Sequence, residues 1–399
     1  MSLLEEAREA LGSSISPLTA QLLARLATEL YFIPGTWDRR DMLSAEAVAV
    51  ARRLGDPRTL AVSLHARNYA MWAPGDAAER LAIGREIVDL AHQSGEGELA
   101  LHGHAWCQTA LLELGDVAGL DAELTAYEHL ADELRQPRYR WYAATRRAMR
   151  ALLAGDLDEG ERLARTARKL GTDAGEADAE NVFGAQMFHV WQEHPTEEMI
   201  DHNDARCRTA EATAGSDSYI ALVLRLMWLL LLLDTTGRTE QAQAELAQLL
   251  GPALERLDPT FYGMGWSIFA VLLTTAAVRL SAVEVAARLY DLLVPQAGLN
   301  AQDCGAVGFH GAYSHHLGTL AATLARWDEA DEHLADAAAM HERMGARAVG
   351  RPGAMGAEPS IGADGSRSRV GIRSGRSVRG VALHRVTHRH FGDGRGAAV

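Results

Sequence analysis

The sequence LAGDLDEGERLARTARKL, residues 153–170, contains the end of one helix, a turn and the start of the next helix. Gly155 interrupts the helical pattern, and Asp156 supplies a short acceptor for the first backbone amides of a new helix. Apolar or small residues then recur at i, i+3, i+4, i+7 and i+10 from Gly160, which is the spacing of one helix face. This stretch therefore predicts a helix, a tight turn and an amphipathic helix.

Glycines repeat this turn at regular intervals along the chain. One series steps by 40 residues, and it comprises Gly35, Gly75, Gly115 and Gly155. A second series lies half a period away, and it comprises Gly55, Gly95, the pair Gln136-Pro137, Gly175 and Gly215. One helix-breaking turn about every twenty residues is typical of stacked helical hairpins. We predict an all-α fold for residues 1–348: a right-handed α-solenoid of antiparallel helix hairpins, similar to tetratricopeptide repeats but with a period of about 40 residues.

The turns divide the chain into first and second helices of successive hairpins. First helices are predicted near 57–73, 97–114, 138–154, 176–193, 217–235, 260–279 and 306–325. Second helices are predicted near 36–54, 76–94, 116–134, 156–171, 195–213, 238–256, 281–296 and 327–345. The segment from Gly298 to Gly308 is expected to be irregular. The last repeat ends near Gly345 without a polar cap, so we expect an exposed apolar end.

Composition favours a protein of a reducing compartment. The 399 residues carry a formal net charge of -14 and only three cysteines, which are far apart in the chain. The N-terminus has no basic segment followed by an apolar run, so no signal peptide is expected. The most apolar stretch, Ile220 to Leu233, is too short to cross a bilayer and contains Arg225. We expect a cytoplasmic location.

The last segment, residues 349–399, differs from the rest in composition. It has eleven glycines and nine arginines against three acidic residues, and no helical periodicity. Such a segment cannot bury enough apolar surface to offset the entropy lost on ordering, so a disordered tail is predicted. Three interpretations stay open: a shifted reading frame in a GC-rich gene, a plain disordered tail, or an arginine-rich arm that binds nucleic acid.

Four strings around the turns resemble tetratricopeptide-like repeats. They are DMLSAEAVAVARRLGD (residues 41–56), LELGD (112–116), LAGDLDEGERLARTARKL (153–170) and LARWDEADEHLADAAAMHERMGAR (324–347). More narrowly, residues 15–347 resemble the long helical region of large actinobacterial signalling ATPases. That group includes LuxR-type regulators similar to the maltose-regulon activator, and relatives that carry adenylate-cyclase domains. The resemblance implies a helical region that senses an inducer or partner and restrains an ATPase.

In that family a nucleotide-binding module precedes the helical region and a DNA-binding helix-turn-helix often follows it, and neither is visible in this chain. A phosphate-binding loop needs Gly-x-x-x-x-Gly-Lys-Ser/Thr, and the single lysine, Lys169, is followed by Leu170. The leading hypothesis is a non-catalytic regulatory module that binds a protein, a peptide or a small-molecule inducer on its concave face. A separate nucleotide-binding ATPase is a further candidate partner. The alternative is a DNA-associated transcriptional regulator that uses the basic tail, and a catalytic helical protein is the third hypothesis.

The best local candidate for a binding site is a strip of arginines and aromatic residues in residues 138–150. We expect the ligand or partner contacts to come from Arg138, Arg140, Trp141, Arg147 and Arg150. Such a strip could bind an anionic ligand or an acidic peptide. The alternative is that these arginines pair with acids of the preceding helix, for example Glu123, Glu128 and Glu133.

No metal, cofactor or catalytic residue is expected. His102 and His104 are two positions apart on a helix and point in different directions, so they cannot both bind one ion with Cys107. His315 and His316, near His310, form the densest histidine cluster, and a pH-sensitive or ligand-contact role for them stays open.

Overall fold

The structure is a computed structural model that describes residues 2–347 except 13, 32, 34, 74, 194–195, 217, 234–237, 258–264 and 304. The predicted tail, 349–399, lies outside the described residues. Within the described part the chain forms an all-α solenoid, as the sequence predicts, in which successive helices pack against each other.

Seventeen α-helices and one β-hairpin occupy the described residues. The first nine helices are α1 (Ser2–Leu11), α2 (Pro17–Glu29), α3 (Trp37–Leu54), α4 (Pro57–Ala70), α5 (Ala77–Ser94), α6 (Gly97–Leu114), α7 (Val117–Leu134), α8 (Pro137–Leu153) and α9 (Leu157–Asp173). Then follow α10 (Ala179–Glu193), α11 (Glu197–Ala214), α12 (Tyr219–Leu233), α13 (Thr239–Glu255), α14 (Trp266–Arg279) and α15 (Val283–Leu293). A short 3₁₀ turn (Val294–Gln296), strands β1 (Asn300–Asp303) and β2 (Gly308–Ala312), α16 (Tyr313–Thr323) and α17 (Trp327–Met344) complete the fold.

The turns have the chemistry that the glycine series predicts. Gly55 ends α3 with φ 68°, in the left-handed region that glycine adopts without steric cost. Where the series lacks a glycine, Arg135 takes the left-handed conformation with φ 52°. The next helices begin with acidic caps of the kind that the sequence predicts at Asp156. The carboxylate of Asp56 accepts a hydrogen bond from the amide of Thr59 at 2.9 Å, and Asp116 and Asp156 cap α7 and α9 in the same way.

One predicted helix begins later in the structure than the sequence predicts. Residues 308–312, expected to begin a helix over 306–325, form β2, and the helix begins only at Tyr313. The segment predicted to be irregular contains β1, which pairs antiparallel with β2 through Gln302 and Phe309. Both strands are buried along their whole length, so they lack the polar and apolar alternation that would reveal a half-exposed strand.

The β-hairpin inserts into the concave side of the solenoid. The side-chain amide of Asn300 donates to the carbonyl oxygens of Leu112 (3.2 Å) and Glu113 (3.3 Å) near the C-terminus of α6. The amide of Gln186 on α10 donates to the carbonyl of Val307 at 2.8 Å. Contacts to α6 and α10, which are first helices of their hairpins, place the β-hairpin on the inner face.

The expected exposed apolar end is not found in the described part of the chain. Met340 and Met344 of α17 are buried, and the sulfur of Met344 lies 3.3 Å from the side-chain amide of Asn300. The amide of Arg347 donates to the carbonyl of Leu153 at 3.2 Å, so α17 meets the α6–α8 region. The solenoid therefore folds back on itself, and its own earlier repeats cover the last helix.

The apolar stretch Ile220 to Leu233 lies in α12, whose leucines are buried by neighbouring helices. Its single charged residue, Arg225, forms ion pairs with Glu211 (3.1 Å) and Glu245 (2.7 Å). None of the helices in the described residues is long and apolar enough to span a membrane.

Close packing of α5 on α6 depends on Gly103. A Cβ atom at this position would lie 2.9 Å from the carbonyl oxygen of Gly84 and 2.6 Å from Cγ2 of Val88. Because a backbone atom cannot give way, Gly103→Ala is expected to lower the free energy of unfolding by about 1–3 kcal/mol in urea denaturation. The matched control is Gly251→Ala on α13, where no atom outside its chain neighbours lies within 4 Å. Because Pro252 follows, the helix propensity gained with alanine is offset by contact with the proline ring, and a change of no more than about 1 kcal/mol is expected. Equal effects of the two substitutions would contradict this packing.

Candidate functional site

A cavity of about 720 Å³ lies on the concave side, under the tip of the β-hairpin. The inner faces of α4, α6, α8, α10 and α12 form most of its wall. Its lining includes His65, Tyr69, Trp72, Leu101, His102, Trp106, Tyr127, Arg138, Tyr139, Trp141, Tyr142, Arg146, Asp178, Asn181, Arg206, Tyr219, Val223, Met227, Asp303, Gly305 and Val307. This volume is in the range of 300–1,000 Å³ that is typical of small-molecule sites.

Helix geometry explains why each first helix contributes several side chains. On α6 the lining residues are Leu101, His102, Ala105, Trp106 and Thr109, which are spaced i, i+1, i+4, i+5 and i+8. Residues at this spacing lie on one face of an α-helix. The same spacing recurs on α12 from Tyr219 to Met227. The cavity is therefore a product of the repeat, in which equivalent faces of successive hairpins turn inward.

Aromatic rings form one wall and hold each other in place. The rings of Trp72 and Trp106 meet edge to face, with centroids 4.9 Å apart. The indole Nε1 of Trp106 donates to Nδ1 of His65 at 3.1 Å, which assigns the proton of a neutral His65 ring to Nε2. Burial and the neighbouring His102 lower the pKa of His65 to about 3, so this imidazole is uncharged at neutral pH.

Arg146 is the most deeply placed cation of the cavity. Its side chain extends from α8 to the β-hairpin, where Nε donates to the carbonyl of Gly305 at 3.2 Å. The guanidinium carbon lies 5.0 Å from the ring centroid of Tyr127 and 5.4 Å from that of Tyr142. These cation–π contacts fix its orientation. Arg146 was part of the arginine-rich segment but not of the predicted contact set.

Two of the five predicted contact residues line the cavity. Arg138 lies at the rim with 60% of its side chain exposed, and its Nε is 3.5 Å from Oε2 of Glu176. Trp141 is buried, and its ring contributes to the wall. A Cβ atom on Gly171 would lie 2.7 Å from the indole Nε1 of Trp141, so the polar edge of the ring faces α9.

The other three predicted residues lie away from the cavity and pair with acids of α7. Arg147 donates from Nε and Nη2 to Glu128, and Arg150 donates to Asp121 at 2.7 and 3.1 Å. Arg140 donates to Asp132 at 3.0 Å. This is the arrangement that the alternative interpretation predicted, with Glu128 as one of its named partners. The residues of the predicted strip therefore lie on two different faces of α8.

Sequence reasoning did not find Arg206, which reaches the cavity from the second helix α11. Its guanidinium donates to Oδ1 of Asn203 (3.1 Å) and to the carbonyl of Asn181 (3.3 Å). Burial lowers its pKa to about 10, so it stays protonated at neutral pH. Gly184 on α10 gives it room, since a Cβ atom there would lie 1.9 Å from Nη1 of Arg206. A glycine within a helix, facing an arginine of the next helix, is the signal that could have identified it.

The remaining sequence candidates have structural partners. His102 lines the cavity, whereas Nδ1 of His104 lies 2.6 Å from Oε2 of Glu123 on α7, so the two rings diverge as predicted. Burial raises the pKa of Cys107 and Cys207 to about 12, which keeps both thiols protonated. Among the described residues, no group of three or more histidine, cysteine or acidic side chains could hold a metal ion.

The histidine cluster near the β-hairpin is buried. Nε2 of His316 lies 2.9 Å from the carbonyl of His310, and the backbone amide of Ala312 donates to Nε2 of His341 at 3.0 Å. The rings of His315 and His341 have centroids 6.3 Å apart. Burial lowers the pKa of each of these two rings to about 4.

The buried imidazoles predict that acid destabilises the fold. Between a folded pKa of about 4 and the ordinary value of 6.5, the unfolded chain binds more protons at His341 than the folded chain does. The free energy of unfolding therefore rises with pH across this window. As the pH falls through the window, this stabilisation is lost. The His341→Gln variant can still accept a hydrogen bond from the backbone amide of Ala312. It is expected to reduce the slope of the free energy of unfolding against pH by about 1.4 kcal/mol per pH unit.

The measurement is a series of urea denaturation curves between pH 4.5 and pH 7.5. The control is His129→Gln, which removes an exposed ring from the surface of α7. A slope in His341→Gln equal to that of the unsubstituted chain would show that His341 does not release a proton on folding.

Comparison with protein-family models gives no match for this chain, and comparison with curated proteins gives no significant match.

Proposed function

We propose that the protein is a non-catalytic sensor module that binds a small-molecule ligand in the concave cavity and acts within a bacterial signalling or transcription-regulator system. The observation that carries the proposal is the 720 Å³ cavity, whose wall is formed mostly by five first helices and the tip of the β-hairpin. Of the ligand classes that the sequence left open, a small molecule fits best, because the hairpin occupies the part of the groove that a long peptide or a protein domain would need.

The β-hairpin gives a bound ligand a physical connection to the rest of the solenoid. Gly305 and Val307 line the cavity, whereas Asn300 at the other end of the hairpin contacts α6 and α17. A ligand that contacts the hairpin tip would favour one position of this element over others. Such a preference is what a sensor needs in order to change a surface distant from the ligand, including one that a separate ATPase could bind.

Ligand binding can be tested with a neutral fluorescent probe, N-phenyl-1-naphthylamine, whose emission rises in an apolar site. We expect saturable binding at a single site. Ala185→Trp places a large ring in the cavity and is expected to abolish that binding without unfolding the chain. The matched control is Ala122→Trp on the exposed face of α7, which should bind the probe as the unsubstituted chain does. Equal binding by both variants would contradict the proposed site.

A further inference from the structure

We infer that the ligand is a planar aromatic molecule with one anionic group, and that Arg146 binds that group. The inference rests on the ligand-binding role proposed above and specifies the chemistry of the ligand.

Arg146 carries a buried positive charge. Its side chain is only 5% exposed, and no carboxylate of the described residues lies within 4.0 Å of its guanidinium. The other arginines in the second half of α8, Arg147 and Arg150, each pair with a carboxylate of α7. A buried charge without a counter-ion is unfavourable, so an anion in the cavity would be stabilised there.

Arg146 still offers hydrogen-bond donors to a ligand. Among the described residues, its acceptors are the carbonyl oxygens of Gly305 (3.2 Å) and Tyr142 (3.5 Å) and the hydroxyl of Tyr127. A guanidinium has five N–H donors, so three acceptors leave two for a ligand. Two donors on a planar group fit the two oxygens of a carboxylate. Because Tyr127 and Tyr142 flank the guanidinium, it is already oriented before the ligand binds.

The charges around the cavity also favour an anion. Arg206 adds a second, half-buried cation, whose hydrogen-bond partners Asn181 and Asn203 are neutral and which also interacts with the carboxylate of Glu180. Asp178 lies at the exposed rim, and Oδ2 of Asp303 faces His310 Nε2 at 4.0 Å on the hairpin. Arg146 and Arg206 outnumber Asp303, the one buried carboxylate of the cavity lining, so the deep part of the cavity favours an anion.

The aromatic lining of the cavity favours a flat ligand. Six aromatic side chains besides the two tyrosines at Arg146 line the cavity: Tyr69, Trp72, Trp106, Tyr139, Trp141 and Tyr219. Ring faces and edges of this kind pack best against a flat, conjugated molecule. The imidazole of His65, neutral and in contact with Trp106, adds a further planar surface without charge. An aromatic carboxylate combines both requirements.

Two dyes of nearly the same shape distinguish the contribution of the anionic group to binding from that of the aromatic rings. The probe 8-anilino-1-naphthalenesulfonate carries a sulfonate that N-phenyl-1-naphthylamine lacks. The unsubstituted chain is expected to bind the sulfonate dye at least about 10-fold more tightly. Arg146→Met is expected to lower the affinity for the sulfonate dye by about 10- to 100-fold. It is expected to change the affinity for the neutral dye by no more than about twofold. Arg147→Met is the control and should change neither affinity.

Arg146→Lys keeps the positive charge but loses the planar fork, so it should retain part of the preference for the sulfonate dye. Near-ultraviolet circular dichroism confirms that each variant is folded, since this dye also binds partly folded chains. Equal affinities for both dyes in the unsubstituted chain, or an equal loss of both in Arg146→Met, would overturn the role of Arg146 and leave the cavity proposal standing. Binding of neither dye would instead refute the cavity proposal itself.

Displacement of the sulfonate dye by competing ligands distinguishes a carboxylate from a phosphate as the anionic group of the ligand. A single deep guanidinium with two donors predicts that 1-naphthoate displaces the dye at lower concentration than 1-naphthyl phosphate does. The reverse order would assign a phosphate in place of a carboxylate. Displacement by 1-naphthalenemethanol as effective as that by either anion would overturn the inference.

Discussion

Replacing Glu113 with alanine is expected to lower the free energy of unfolding by about 3–5 kcal/mol. The Glu113 carboxylate forms a buried ion pair with Arg80, and their side chains are 9% and 4% exposed. Nη1 of Arg80 also donates to the carbonyl of Ala73 at 2.7 Å, and Gln302 of β1 donates to Oε1 of Glu113 at 3.1 Å. Without Glu113, a buried guanidinium would lose its counter-ion and the β-hairpin would lose a contact to α6.

Urea denaturation measures this loss, with Asp132→Ala as the control. Asp132 pairs with Arg140 on the surface, where the side chains are 72% and 46% exposed, so its removal is expected to cost no more than about 1 kcal/mol. The double variant Arg80→Met/Glu113→Leu should be more stable than Glu113→Ala, because it leaves no buried charge. A cost below about 1 kcal/mol for Glu113→Ala would show that this pair does not hold the hairpin in place.

Trp141→Ala is expected to lower the free energy of unfolding by a similar amount, about 3–5 kcal/mol. The indole is buried between α8 and α9, in an apolar cluster with Ala167 and Ala179. It also contacts the ring of Tyr142, with centroids 4.7 Å apart. Removing the ring would leave a void that the helices cannot fill, because helix backbones are held by their own hydrogen bonds.

Trp141→Phe provides the comparison. The indole Nε1 has no hydrogen-bond partner among the described residues, so phenylalanine loses none, and the cost should be well below that of alanine. Stability is measured by urea denaturation and probe affinity by titration with N-phenyl-1-naphthylamine. An alanine variant that keeps full stability but loses the probe would show that Trp141 acts only as a ligand surface.

Most of the fold follows from local sequence signals. The positions of Gly55 and Gly115 predict where helices end, and Asp56 and Asp156 predict where new ones begin. These signals act within a few residues, so a single sequence displays them. The β-hairpin could not be predicted in this way, because its contacts join Asn300 to residues near 112, far away in the chain.

The candidate site was predicted only in part. Arg140 and Arg147 are seven residues apart and therefore share one face of α8, and both contact α7. Spacing alone could not show which face of α8 turns toward the cavity, since both faces carry arginines. Arg146 and Arg150 are one turn apart, yet one reaches the hairpin and the other reaches Asp121, because their neighbours differ.

The cavity and the β-hairpin meet at Gly305, and this contact gives the proposal its mechanism. Arg146 contributes both to the cavity wall and to the hairpin tip, so an anion that binds its free donors would also affect its bond to Gly305. The same hairpin contacts α17 through Met344. Occupancy of the cavity is therefore expected to change the position or the order of the hairpin and of the last helix.

A crystal structure of the protein with bound 8-anilino-1-naphthalenesulfonate tests the central claim most directly. The account predicts one dye molecule between α6, α8 and α12, with its sulfonate oxygens within hydrogen-bond distance of the Arg146 guanidinium. Its rings should lie against Trp106 and Tyr139. A dye bound elsewhere on the solenoid, with the cavity filled only by water, would contradict the account.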